Sequence, residues 1–355
     1  MVIRTTLFNP FFTPHKGFFM NYKLMACTLL LGSFSSQSYA MLGKKLTPAK
    51  RPAIKMEEGA VEEFETTSFS FFGKKIEYEK LASLMSTFPS LSKLNLANGQ
   101  LGFDSMRTEE MMLIINNLIH ANNVKVLNLS SNGLKAESFE SIAQCENFHL
   151  LSALDVSGNQ LRNYGAEIIA QFLVHPDSKI EELSLNACDL SAQAIAILAT
   201  ALASSKIKTL VLDGNQINGV GAKALGLALP NSQIETLSLA QSFLDVGTSM
   251  LDLAGGILKS KIRYLNLQRS GLFDKSVIQL LINILIDSPI EYLDLSSNMI
   301  GKESGIVICG LIQRGCKLQE LDLRNNYESL KLVTGEIRQA WADAGKNPAK
   351  LYLSK

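Results

Sequence analysis

One spacing recurs through this chain so regularly that it leaves little choice of architecture. In Val124-Lys-Val-Leu-Asn-Leu-Ser-Ser-Asn-Gly-Leu134 an apolar residue is followed by two variable positions, Leu, one variable position and Leu. Two more positions, an Asn, one further position and a closing Leu complete the frame. The same frame stands at 91–101, 151–161, 180–190, 207–217, 234–244, 262–272 and 290–300, and at 318–328 with its last apolar position lost. Successive copies start 33, 27, 29, 27, 27, 28, 28 and 28 residues apart. A unit of this length cannot bury its apolar face alone, so a fixed period means stacked copies sharing one continuous core.

The pattern has a direct physical reading. Leu127 and Leu129 are two apart and therefore face the same side of a short strand, and Val124 and Leu134 turn into the same interior. Asn132, Asn159, Asn215, Asn298 and Asn326 stand where the chain leaves the strand, where a buried amide can satisfy free backbone groups. Cys188, Ser242 and Ser270 occupy that position in other copies. After each strand Ala and Leu recur at helical spacing, as in 219–229 and 191–203, with Ser191 placed as an N-cap.

These features resemble the leucine-rich-repeat family, over residues 91–328. A full helix in every 27–29-residue repeat is similar to the ribonuclease-inhibitor-like subfamily. The resemblance implies an α/β solenoid, a horseshoe with a parallel concave sheet, convex helices and about nine repeats plus caps. Residues 65–90 are expected to form an N-terminal cap, with a strand or hairpin over 64–76 and a helix over 77–88. Residues 329–355 are expected to form a C-terminal cap: a helix over 333–344 anchored by Trp341, then a short strand at Leu351-Tyr-Leu353.

The N-terminal region has a different character. No Asp or Glu precedes Glu57, whereas Arg4, Lys16, Lys23, Lys44, Lys45, Lys50, Arg51 and Lys55 do. The apolar run 24–32 is nine residues long, too short for the ~20 a membrane-spanning helix needs. Preceded by Lys23 and followed by Ser38-Tyr39-Ala40, it reads as a signal peptide over 1–40, best formed if translation starts at Met20. A buried apolar segment and an organelle transit peptide are the other readings. Residues 41–64 read as a flexible tether. The expected location is secreted or periplasmic.

Composition and motifs narrow the chemistry. With 34 basic against 33 acidic residues the net charge is +1, which gives no signal for nucleic acid. Five cysteines in 355 residues are too sparse for a disulfide scaffold, and Cys309 and Cys316, seven apart on an expected helix, cannot pair. Neither the four histidines nor the cysteines show metal-ligand spacing, and no nucleophile–base arrangement or phosphate loop is present. The expectation is a protein without enzymatic activity, cofactor or metal, without a stable membrane span, and monomeric.

A binding surface is then expected on the concave face, where the residues beside the leucines point away from the core. The early copies carry mostly small side chains there and the last three carry larger ones. Arg263, Tyr264, Asn266, Arg269, Glu291, Tyr292, Asp294, Glu320, Asp322 and Arg324 are the candidate partner-binding residues, since Tyr and Arg are enriched at interface hot spots. Truncating Tyr264 or Tyr292 is expected to weaken binding with little loss of stability. The sequence thus reads as a secreted protein-binding factor, of bacterial origin and acting on host proteins as an effector. The alternative is an intracellular regulator of an enzyme, ribonuclease-inhibitor-like or GTPase-activator-like.

Overall fold

The computed structural model describes residues 68–70, 91–102, 113, 115–117, 119, 124–145, 147–242, 244, 248–272 and 288–354. The chain divides into two units, Met1–Arg51 and Pro52–Lys355, and everything described here belongs to the second. The expected leader over 1–40, the tether over 41–64 and the cap helix over 77–88 lie outside the described residues.

Eleven short strands follow one another in a single parallel sheet, each pairing with its sequence neighbours. They are β1 (Ser68–Ser70), β2 (Lys93–Asn95), β3 (Val126–Asn128), β4 (Ala153–Asp155), β5 (Glu182–Ser184) and β6 (Thr209–Val211). The series continues with β7 (Thr236–Ser238), β8 (Tyr264–Asn266), β9 (Tyr292–Asp294), β10 (Glu320–Asp322) and β11 (Leu351–Tyr352). The register aligns the repeat frame: Leu94, Leu127, Leu154, Leu183, Leu210, Leu237, Leu265, Leu293, Leu321 and Leu351 are successive partners. From Leu94 to Leu321 all are buried, and they form one core with the helices behind them. The architecture is a leucine-rich-repeat solenoid of the α/β class.

The helices bounded within the described residues are α1 (Ala136–Ala143), α2 (Arg162–Leu173), α3 (Ala192–Leu202), α4 (Asn218–Ala228), α5 (Thr248–Leu258), α6 (Lys302–Gln313) and α7 (Thr334–Asp343). Ser191 caps α3 as its position predicts, its hydroxyl accepting from the Ala194 amide at 3.4 Å. Trp341 on α7 is buried in the core, and its ring N–H donates to the Asn347 carbonyl at 2.9 Å. The four cysteines among the described residues are free thiols: Cys145 half-buried, and Cys188, Cys309 and Cys316 buried.

Two ladders hold successive repeats in step. In the first, the buried amide of Asn298 donates to the Leu267 and Leu295 carbonyls at 2.8 and 3.1 Å. Its oxygen accepts from the Ser270 and Leu272 amides at 3.0 and 3.2 Å. Asn215 and Asn159 repeat this set of four bonds. Where Asn is replaced, one donor remains: Cys188 Sγ reaches the Val156 carbonyl and Ser270 Oγ the Leu239 carbonyl.

The second ladder is a turn in left-handed backbone at Asn98, Ser131, Ala187, Gln241, Arg269, Ser297 and Asn325, with φ between 48° and 57°, and at Gly158 and Gly214. The residues from Asn98 to Ser297 each donate their amide to the next repeat. A side chain in this region costs on the order of 1 kcal/mol, which the interlocking bond offsets.

Candidate functional site

The concave face is built from three rows beside the leucines. The row just before each strand carries Glu181, Lys208, Glu235, Arg263 and Glu291, alternating in sign from one repeat to the next. Lys208 Nζ lies 2.9 Å from Glu181, and Arg263 Nε donates to Glu291 Oε1 at 2.9 Å, with an Arg263 Nη2 contact besides. Hydrogen bonding to Glu181 and to Glu291 raises the pKa of Lys208 and Arg263 respectively, and the Glu235 charge adds to both. This row carries two separate ion pairs, Lys208–Glu181 exposed and Arg263–Glu291 partly so.

The row between the two leucines has a structural duty that the sequence reading did not see. Asn266, Asp294 and Asp322 were expected to face a partner. Instead each accepts the amide two residues on, from Gln268, Ser296 and Arg324, at 2.9, 2.8 and 3.0 Å. Asn95, Asn128 and Asp155 do the same. A short carboxylate or amide closes the turn that ends each strand, so these residues hold backbone first. At β6 and β7, where the row reads Val211 and Ser238, Asp213 reaches across to accept from the Ala240 amide at 2.8 Å.

The third row, at the first strand residue, carries the two tyrosines. Tyr264 and Tyr292 are register partners and their rings stack 5.0 Å apart with planes at 15°. Tyr292 is only 9% exposed, so the expectation that its truncation would spare stability is overturned; Tyr264 is half-exposed and keeps the properties of a contact residue. Burial raises the pKa of both phenols, Tyr264 first by desolvation and then by Glu320 and Glu291.

Farther along the sheet, Arg324 makes a two-pronged ion pair with the buried Asp322, Nε lying 2.8 and 3.0 Å from its two oxygens, and its guanidinium lies 4.9 Å from the Tyr352 ring centre. Glu320, also buried, is held by Lys350 Nζ at 2.8 Å and the Tyr352 hydroxyl at 3.1 Å. Asp294 is buried and makes no ion pair among the described residues; desolvation and then the Asp322 charge push its pKa up to about 6, against a smaller downward pull from its turn hydrogen bond and Arg324.

The structure therefore brings together Arg263, Tyr264, Glu291, Tyr292, Asp294, Glu320, Asp322 and Arg324. Arg269 sits apart, on the exposed turn beyond β8, where its backbone φ is 51°. Lys350 and Tyr352 were missed, although Leu351-Tyr-Leu353 repeats the strand signature and so places them on the same rows. Also missed was the pairing of His149 with His175, whose rings stack 4.7 Å apart at the ends of neighbouring repeats. Among the described residues no group of three or more His, Cys, Asp or Glu is arranged to hold a metal, and no helix is long and apolar enough to cross a membrane.

Fold and repeat together define a leucine-rich-repeat solenoid. Residues 120–143, 203–226 and 288–309 match the Leucine Rich repeat family model. The chain is 27% identical over 256 residues to the NACHT, LRR and PYD domains-containing protein 3 of Macaca mulatta and of Homo sapiens. That match takes in 69% of this chain and spans about a fifth (21%) of the length of those proteins. Among solved structures it is similar to the leucine-rich repeat-containing protein LegL7 from Legionella pneumophila, with a TM-score of 0.50, 19% identity, and 79% of this chain and 90% of that one covered. A chain of the Rad7 and Elc1 complex in yeast matches with a TM-score of 0.51, 18% identity, and 82% and 76% covered. At these identities the likeness is one of fold.

Proposed function

We propose that this is a non-enzymatic protein-binding leucine-rich-repeat protein of the ribonuclease-inhibitor-like type, which engages its partner with the C-terminal half of its concave face. The observation that carries the reading is the Tyr264–Tyr292 stack, framed by the Arg263–Glu291 and Arg324–Asp322 ion pairs. An aromatic pair and guanidinium groups already held in one geometry lose little side-chain entropy on binding. On the leader's charge pattern the protein is exported, and its partner is then an envelope or host protein, as an effector would require. The 27% identity over 256 residues to leucine-rich-repeat-containing proteins of Macaca mulatta and Homo sapiens suits mimicry of a host scaffold.

Two measurements test this. Mass spectrometry of the native mature N-terminus should give a chain beginning at Met41 in the periplasm or medium; an uncleaved chain in the cytosol overturns export. Tyr264→Ala should weaken capture of the cognate protein by about 2 kcal/mol, roughly thirtyfold, while leaving the unfolding midpoint in place. Unchanged capture by this variant would remove the concave patch from the binding surface.

A further inference from the structure

The middle of the concave face is low and negatively charged. Across β4–β7 the strand positions facing out of the core hold Ala153, Ser184, Thr209, Val211, Thr236 and Ser238. The next strand then rises to Tyr264, the register partner of Thr236. Around this floor stand Asp155, Glu181, Glu182, Asp213 and Glu235, against one cation, Lys208. Lys208 is taken up by Glu181 and Arg263 by Glu291, which leaves Glu235 over between them. Asp155, Glu182, Asp213 and Glu235 make no ion pair among the described residues, and Glu182 and Glu235 are exposed while the two aspartates are half-buried. Other cations border the floor without entering it. Lys93 and Lys125 lie beside β2 and β3, and Lys179, Lys206 and Lys261 lie on the edge before the strands. Two of these are already held, Lys206 Nζ by the Ser178 carbonyl at 2.9 Å and Lys261 Nζ by Gln233 Oε1 at 2.5 Å.

We propose that this trough receives a protein segment bearing lysine or arginine side chains, laid across β4–β7 from the Tyr264 wall. The inference rests on the binding function proposed above and names the chemistry of its partner. Two features select this occupant. The first is shape: the small side chains of the floor set the carboxylates back behind Tyr264. A lysine or arginine lays its apolar stem along such a floor and brings its charged head to the carboxylates. The second is sign: an excess of anions left without ion pairs attracts a basic segment and repels the phosphates of nucleic acid or of an anionic lipid surface. Desolvation raises the pKa of Asp155 and Asp213, and desolvation followed by the Glu181 charge raises that of Glu182. An arriving cation therefore relieves a cost that folding has already incurred. Four strands about 4.8 Å apart span roughly 14 Å, room for about four residues of an extended segment.

The test titrates the full chain into a short dye-labelled peptide of alternating arginine and serine, read by fluorescence anisotropy at physiological ionic strength. Its counterpart with glutamate in place of arginine is the control. The expected result is saturable binding of the basic peptide, at least about tenfold tighter than that of the acidic one. Glu182→Gln combined with Glu235→Gln should weaken it at least about tenfold, with circular dichroism unchanged because both side chains are exposed. The same exchange at Glu167 and Glu336, exposed on α2 and α7, should leave binding as it was. Lys208→Gln should tighten binding, because it removes the one cation of the trough and releases Glu181. Equal affinity for the two peptides overturns the proposal. So does a loss reproduced by the Glu167 and Glu336 exchange, or weaker binding by Lys208→Gln. The broader reading fails separately. Cognate capture lost with Tyr264→Ala but indifferent to the Glu182 and Glu235 exchange removes the basic segment alone, whereas indifference to both removes the concave face.

Discussion

Asn298 offers the sharpest test of how the repeats hold together. Its side chain accepts from two buried amides and donates to two buried carbonyls, at 2.8 to 3.2 Å, linking the turns of two neighbouring repeats. Asn298→Ala removes all four partners at a site 6% exposed, where water cannot replace them without opening the turn. At about 1 kcal/mol for each bond lost, the expected destabilisation is ~4 kcal/mol. The neighbouring repeat supplies a graded control: Ser270 holds the same position with its hydroxyl donating to the Leu239 carbonyl at 2.8 Å. Asn298→Ser should therefore recover one to two bonds and cost about 2 kcal/mol. Urea unfolding followed by circular dichroism reads both, with the slope of the transition monitored for local opening of the array. If Asn298→Ala costs under about 1 kcal/mol, or if the Ser and Ala variants cost the same, the ladder does not carry the load assigned to it.

Other expectations are quicker to state. Gly256→Ala should lower stability by about 1–3 kcal/mol, because its methyl meets the Gly226 backbone, while Gly255→Ala, with open space around it, should gain up to ~1 kcal/mol of helix propensity; thermal unfolding compares them. Tyr292→Ala should cost about 3 kcal/mol or more through loss of a buried ring, in contrast to the near-neutral Tyr264→Ala. Asp294 binds its proton more tightly when folded, with a pKa of about 6 against 3.8 for the free group. The native state thus holds more protons than the unfolded one between these values. Stability falls as pH rises through this window, by about 3 kcal/mol from this residue. Asp155 and Asp213 are raised by burial and act in the same direction. Asp294→Asn should flatten the profile of urea midpoint against pH from about 4 to 7, and an unaltered profile would discard the assignment.

The fold was legible because its determinants are local and periodic. Two leucines two apart fix a strand, an Asn three residues later fixes the exit, and the period fixes which strand meets which. Trp341, Ser191 and the strand at Leu351 followed from the same spacing. The site was less legible, because a side chain's neighbours on a sheet are one repeat away in sequence and their joint chemistry is decided by register. That Tyr264 stacks on Tyr292 is visible once 28 residues are taken as one step across the sheet. That Asp294 and Asp322 serve their own turns is not, since an aspartate between two leucines can point to solvent or fold back on the next amide. Val211 and Ser238 show why: where the row lacks its usual acceptor, a side chain one repeat back takes the amide, Asn186 for that of Asp213 and Asp213 for that of Ala240, an exchange that no single position reveals.

The charges at the C-terminal end of the concave face argue for a surface prepared in advance. Glu320 and Asp322 are buried and would be costly alone, yet each has a cation and further hydrogen bonds in place before any partner arrives. The partners of Glu320, Lys350 and Tyr352, come from the last strand described and the residue before it, and Tyr352 also lies against the Arg324 that holds Asp322, so this C-terminal segment fixes the patch beside it. Loss of that strand should therefore register twice, as instability of β10 and as a disordered binding surface. Asp294 is the exception, a buried carboxylate with no ion pair among the described residues, whose proton affinity is raised by desolvation and the Asp322 charge. A partner placing a lysine or arginine against it would relieve that desolvation and lower its pKa. Binding should then release a proton near pH 6, and calorimetry in buffers of different ionisation enthalpy measures that release; association with no proton exchange would place the partner elsewhere on the face.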